Sequence, residues 1–350
     1  ISIVGSLAIR DFLILMHTPG EILEQSLDYI KVILLGFVIT VLNNLFMSVL
    51  QSLGDSSTPF WALLVSSVTN IGLDCVFVLT LKWGVQGAAA ATVLSQVFSF
   101  AICAAGLKRL KFVSILDGSK SKNARLTVRM LKTGLPVGIM SMVTAVGGMI
   151  LQFFVNDLGA SAVAAYAAST KIRSVIGEFS NALGMTFMTF VGQNYGAQKY
   201  DRIKAGVRMG VLLSILIHIP LSAVEIFGGK RIASLMVTDP PVLELCRQYL
   251  LIVGIFVFFL GFLMVFRNCI QGMGNTWIPM LSGGLEVFSR LIFGYWLGRH
   301  SFMGIAAAEA SAWISVSIML GSSFFILFRK VLRTQTPENT TDTKNIRTDS

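Results

Sequence analysis

The sequence predicts an all-α transmembrane protein, and two observations lead there before any motif is read. Of its 350 residues, 54% are apolar and only 13% are charged, about half the charged share of a soluble domain. The apolar residues fall in long runs between short polar connections, and about 20 such residues let a helix cross the hydrocarbon core. Backbone amides in lipid must be satisfied within their own segment, which selects helices. The alternating segments of roughly 10 residues that mark a membrane barrel are not seen.

Ten spans are expected, at residues 1–16, 30–49, 59–81, 85–107, 132–156, 162–190, 206–228, 248–270, 277–298 and 303–328. The net charge of +10 collects in the connections. Between Leu107 and Lys132 stand Lys108, Arg109, Lys111, Lys120, Lys122, Arg125 and Arg129 against Asp117 alone. Lys199, Arg202, Lys204 and Arg208 follow the sixth span, and Arg329, Lys330 and Arg333 follow the last. Counted along the spans, all three groups fall on one side, which the positive-inside rule makes cytoplasmic. The opposite side carries Glu21, Glu24 and Asp28. This distribution speaks for a cell (inner) membrane and a cytoplasmic C-terminus, and against a nucleic-acid surface. Contact of the basic loop with anionic headgroups is the further reading. The polar tail after Thr336 is expected to be disordered.

Cys75, Cys103, Cys246 and Cys269 lie in or beside apolar runs with no metal-ligand spacing, and are read as small core residues. His17, His218 and His300 form no metal or triad pattern, so no metal or organic cofactor is expected. The chain starts at Ile1 with no basic leader before an apolar stretch, and no signal peptide is expected.

An internal repeat organises the spans. At an offset of 220 residues, Leu15, Met16, Thr18, Leu23, Tyr29, Gln51, Gly54 and Pro59 meet Leu235, Met236, Thr238, Leu243, Tyr249, Gln271, Gly274 and Pro279. Further on, Gly87 meets Gly304. Six spans separate the copies, an even number, so both point the same way: a parallel repeat. Two pseudo-symmetric six-helix lobes are expected, the first lacking its first two helices. The organisation is an N-lobe at 1–107, a basic connector at 108–131, a C-lobe at 132–328 and a tail at 329–350. A natural ten-helix protein is the rival reading.

The order and spacing of several stretches carry a resemblance. These are TPGEILEQSLDYI, VLQSLGDSSTPF, NIGLD and GVQGAAAATVLSQ in the first half. In the second half they are GLPVGI, FFVNDLGASAVAAYAAS, FVGQNYGAQK and IQGMGNTWIP. Over essentially its whole length the chain resembles multidrug and toxic compound extrusion transporters. The resemblance implies two six-helix lobes around a central cavity and export of drugs or organic cations driven by H⁺ or Na⁺.

Ionisable groups at membrane depth are the usual means of coupling an ion to transport. Asp74 sits some 15 residues into its span, roughly 22 Å at 1.5 Å per residue, and Asn70 shares its face one turn earlier. The Asn-x-x-x-Asp spacing resembles the N-lobe cation site of the family, whose further aspartate lies on a helix this sequence does not contain. Polar capping near the outer face is the other reading of Asp74. Asn43 and Asn44 lie mid-span nearby, one as a cavity or coupling group, or as a helix–helix hydrogen bond. Asp74, Asn70 and Asn44 are the candidate coupling set. Gln152, Asn156, Thr144 and Asn43 are the candidates for the substrate cavity. In one branch of the family a C-lobe Na⁺ site uses two acids; here those positions hold Thr144 and Leu260, which favours first-lobe coupling and H⁺ over Na⁺.

Glu286 and Arg290, one turn apart, are expected to pair within their helix, with Arg267 joining Glu286 or carbonyls. Lys171, Arg173 and Glu178 either gate the cavity or snorkel. The expected partners are small, amphipathic cationic molecules and the lipid bilayer, with the chain a monomer. A lipid-linked saccharide flippase of the same superfamily is the alternative; it would need a cationic central cavity. A membrane-embedded enzyme would need clustered His, Asp or Glu near one face, which the sequence lacks. A scaffold would not need the repeat.

Overall fold

The structure, a computed structural model, describes residues 9–10, 20–109 and 124–333. The chain divides into two compact units, residues 1–121 and 122–350.

Unit 1 holds α1 (Gly20–Ser52), α2 (Ser57–Asp74) and α3 (Gly84–Arg109). After Asp74, α2 runs on through a wider π-type stretch, Cys75–Thr80. Helix α3 packs against both α1 and α2, which barely touch each other. The reason lies in its sequence. Gly87, Ala91, Ser95, Ser99 and Cys103, all buried, recur every four residues and form one stripe of small side chains. In lipid, where apolar surface alone does not drive helices together, such stripes let backbones come close enough for van der Waals contact and hydrogen bonds. Ser66 of α2 uses that closeness, donating to the Ser95 carbonyl at 3.0 Å.

Unit 2 holds α4 (Ala124–Asp157), α5 (Ala160–Gly196), α6 (Tyr200–Ala223), α7 (Pro240–Gly272), α8 (Trp277–Phe293) and α9 (Phe302–Arg333). Helix α6 continues through a π-type stretch, Val224–Gly228, into Gly229–Ala233. Helix α8 ends in another, Gly294–Gly298. Pro240 and Pro241 open α7 at positions where a missing amide hydrogen costs nothing. Helix α7 is the centre of the unit, packed on α5, α6 and α9, while α8 bridges α4 and α9. Tyr249, Val253, Val257 and Trp313 are buried in this core.

Nine expected spans fall on α1 to α9, and most of the helices extend past the apolar runs. The first expected span, 1–16, and the tail beyond Arg333 lie outside the described residues, apart from helical Ile9 and Arg10. Three helices start eight or more residues before the expected span: α1 at Gly20, α7 at Pro240 and α4 at Ala124, and the last places Arg125, Arg129 and Lys132 on a helix and not in a connection. Basic residues are good helix formers, and hydropathy alone does not register a helix that continues into water.

Seven of the described helices are long and apolar enough to cross a membrane. The exceptions are α5, which carries Lys171, Arg173 and Glu178, and α8, which carries Glu286 and Arg290 in 17 residues. Three of these five charges, Arg173, Glu286 and Arg290, meet opposite charges inside unit 2.

Helices α1 and α7 each have 33 residues and start 220 positions apart (20 + 220 = 240). The same step takes Ser57 at the start of α2 to Trp277 at the start of α8. It also takes Gly54 (φ +90°) to Gly274 (φ +83°), both in the left-handed region that glycine enters without steric cost. Asp55 accepts the Thr58 amide at 3.0 Å, and 220 residues on Asn275 accepts the Ile278 amide at 3.2 Å.

Candidate functional site: buried polar groups in two helical units

In unit 1, Asp74 and Asn70 occupy one face of α2, and the regular helix gives way to the π-type stretch directly after Asp74. Both residues are half-buried. Asp74 Oδ1 and Asn70 Nδ2 are buried atoms with no hydrogen-bond partner among the described residues. Unsatisfied polar atoms of this kind are costly in a protein interior. The two neighbouring asparagines of α1 diverge. Asn43 is buried and donates to Gln96 Oε1 of α3 at 2.8 Å, whereas Asn44 is exposed. Asn43 thus takes the helix–helix role, and Gln96 is a partner that sequence reasoning missed.

In unit 2, Thr144, Gln152 and Asn156 fall at steps of four and eight along α4, on one face. Gln152 donates to Asn156 Oδ1 at 2.8 Å, at the exposed side. Thr144 is half-buried, and its hydroxyl oxygen is buried with no partner among the described residues.

The densest polar arrangement lies deeper. Arg267 of α7 meets Glu286 of α8 at 3.1 Å, and Arg290 meets the other oxygen of Glu286 at 3.0 Å. Arg290 also reaches Glu309 of α9 at 3.6 Å, and Arg173 of α5 approaches the same carboxylate oxygen at 3.2 Å. Tyr249 of α7 donates its hydroxyl to the second oxygen of Glu309, and the Arg173 guanidinium stands 5.8 Å from the centre of the Trp313 ring. Four helices are tied by one chain of charges. The Glu286–Arg290 pair and the Arg267 contact were expected. Glu309 and Tyr249 were not, although a single acid inside the alanine-rich run of α9 was the available signal. Arg173 neither snorkels nor stays free, while Lys171 and Glu178 of the same helix are exposed. His218 is a buried structural residue, 2.8 Å from Ser180 Oγ and 2.7 Å from the Ser214 carbonyl.

The MatE family model matches residues 1–76 and 136–296, well over half of the chain. The chain belongs to the MatE family.

This MatE chain is 27% identical over 328 residues to the probable multidrug resistance protein YoeA of Bacillus subtilis, covering 87% of this chain and 71% of that protein. It is 24% identical to the probable multidrug resistance protein NorM of Thermotoga maritima, with 89% and 68% covered. A FAD transporter of Shewanella oneidensis is 25% identical, with 77% and 61% covered. Among solved structures, a multidrug resistance MATE family transporter in an outward-facing conformation matches with a TM-score of 0.87 and 21% identity, over 95% of this chain and 75% of that one. A MOP superfamily transporter from Pyrococcus furiosus, described as having a binding pocket of reverse polarity, matches with a TM-score of 0.87, 20% identity and coverage of 95% and 76%. These likenesses establish the fold of a multi-pass membrane transporter.

Proposed function

We propose that this MatE chain exports small amphipathic organic cations by antiport against an inward-moving cation, H⁺ in preference to Na⁺, with alternating access. The names of its relatives support multidrug export. The observation that carries the coupling reading is Asp74, whose buried Oδ1 lacks a partner one turn from the equally unpartnered Asn70 amide. Ionisable groups kept at membrane depth are the usual means of coupling an ion to transport. Protonation from outside releases a cationic substrate, and loss of the proton to the cytoplasm restores the site. Each charge moved inward gains about 2.3 kcal/mol per 100 mV of membrane potential. Thr144, Gln152 and Asn156 serve as the polar contacts of the substrate path. A monomer in the cell (inner) membrane with a cytoplasmic C-terminus completes the reading.

The flippase alternative needs unpaired positive charge at membrane depth. Arg173, Arg267 and Arg290 share two glutamates, and each lies within ion-pair distance of one of them, so none of the three stands alone, which supports export of cations over that alternative.

The test is dye efflux from energised bacteria lacking their own pumps, comparing the parent, expressed with its upstream reading frame restored, with Asp74→Asn at equal membrane levels. Proton-gradient-dependent efflux in the parent and its loss in the variant are expected. Undiminished efflux in the variant rejects Asp74 as the coupling group, and a parent that moves no dye rejects the export reading.

A further inference from the structure

Glu225 is the buried acid that neither the charge chain nor the coupling reading uses. It is 1% exposed, and neither carboxylate oxygen has a hydrogen-bond partner among the described residues. It lies within the π-type stretch Val224–Gly228 of α6, a widening of the helix often found at functional sites. Across from it stands Gly254 of α7. A Cβ there would lie 3.0 Å from both Glu225 Cβ and Ile226 Cγ1, so glycine lets α6 and α7 approach closely where the Glu225 side chain begins. Ser222, one turn earlier, is committed to the Gly254 carbonyl at 2.7 Å and does not donate to Glu225.

The charged groups acting on Glu225 are Arg173 of α5 and Glu309 of α9. Tyr249 of α7 shares Glu309 with Arg173. Of the other titratable groups of α6 and α7, Arg231 is exposed and the following are engaged elsewhere. His218 bonds to Ser180 and Ser214, Lys230 and Arg247 pair with Glu244, and Arg267 pairs with Glu286.

Counting charge, the connected chain holds three arginines (Arg173, Arg267, Arg290) and two glutamates (Glu286, Glu309). Without Glu225 it carries one uncompensated positive charge; with Glu225 ionised it is neutral. Arg173 Nε is buried and has no hydrogen-bond partner among the described residues. Both protonation states of Glu225 therefore have a physical rationale. The neutral acid suits an unpaired, dry position, and the carboxylate balances the arginine chain.

We infer that Glu225 is a proton-binding site of unit 2, distinct from Asp74. It holds a proton while unpaired, and when its O–H bond breaks and the proton leaves to water, Arg173 neutralises the carboxylate. A proton fits better than a metal cation. Among the described residues no group of three or more His, Cys, Asp or Glu stands together to hold one.

The experiment is infrared difference spectroscopy of the protein in liposomes, titrated with pH in sodium-free buffer and without transport substrate. The parent loses a neutral-carboxyl band as pH rises. Glu225→Gln lacks that component and Asp74→Asn keeps it. Glu225→Asp, which preserves the acid if the glutamine variant fails to fold, shows the band at a shifted frequency. The inference is overturned by the same band in Glu225→Gln, by an unshifted band in Glu225→Asp, or by a band that persists to the alkaline limit. Loss of the band on adding Na⁺ at constant pH overturns it in favour of a sodium site. No substrate is present, so this outcome and that of the efflux test are independent.

Discussion

Arg173 of α5 and Glu309 of α9, 136 positions apart (309 − 173), lie 3.2 Å from each other inside unit 2. The glutamate is 1% exposed, so it depends on its partners for what water would otherwise supply. Removing one member of a buried ion pair costs about 3–5 kcal/mol, while replacing both with apolar groups is often neutral. Arg173→Met is expected to destabilise the protein by about 3 kcal/mol, because Arg290 and Tyr249 still hold Glu309. The double variant Arg173→Met/Glu309→Leu recovers most of that loss. Unfolding midpoints in detergent, read as a double-mutant cycle, check the coupling.

Gly272 ends α7 against α5. A Cβ there would meet the Met188 carbonyl oxygen at 2.6 Å and the Gly192 nitrogen at 3.1 Å, both backbone atoms that cannot rotate aside. Gly272→Ala is expected to cost roughly 1–3 kcal/mol, the usual penalty of overpacking. Gly284→Ala, where nothing lies within 4 Å, is the control and leaves stability unchanged or slightly raised. Thermal unfolding of the two variants side by side separates a steric effect from a general effect of alanine.

Asp55 sits in the turn before α2, where its Oδ1 accepts the Ser57 and Thr58 amides and its Oδ2 accepts the Thr58 hydroxyl at 2.6 Å. The Thr58 hydroxyl above all, and the Thr58 and Ser57 amides with it, hold the Asp55 carboxyl below its ordinary value. A depressed folded-state pKa gives stability that is present above the unfolded value, about 4, and is lost as pH falls below it. Asp55→Ala is expected to cost about 1 kcal/mol, as loss of a helix cap does. Asp55→Asn costs less at neutral pH and removes the acid-side loss. Stability measured from neutral to acid pH for the three proteins reads both effects.

Asn43 reaches Gln96 across α1 and α3 at 2.8 Å. Interhelical hydrogen bonds in membranes average about 0.6 kcal/mol, with a maximum near 1.7. Asn43→Leu is expected to lose no more than that, and Asn44→Leu, on the exposed side, to leave stability unchanged. Denaturation in mixed micelles distinguishes the two. A larger loss from the Asn44 variant would show that α1 turns its other face inward.

The helices were legible because each expected span is a run of apolar residues, and length and apolarity are local properties. The step of 220 residues was legible too, since the Gly54 and Gly274 turns and the Asp55 and Asn275 caps are written in residues that tight turns and helix starts require. Asp74 and Asn70 could be paired from their spacing alone. Others could not. Asn43 and Asn44 differ by about 100° around one helix, and which of them faces α3 depends on how α1 rolls against it. The partners of Glu309 come from three other helices, so no window of sequence contains them.

The sequence by itself therefore determined the membrane class, the helix order and the family, all consequences of local composition and of motif order. Only the tertiary structure decided which polar residues are buried and which buried charges are paired. At the repeat step, Asn70 and Asp74 of unit 1 correspond to Arg290 and Gly294 of unit 2. In unit 2 the arginine is locked between Glu286 and Glu309, and the unpartnered acid is Glu225 on another helix. That exchange follows from packing: a buried charge is satisfied by whatever group the neighbouring helices place within a few ångströms, and sequence distance has no part in it.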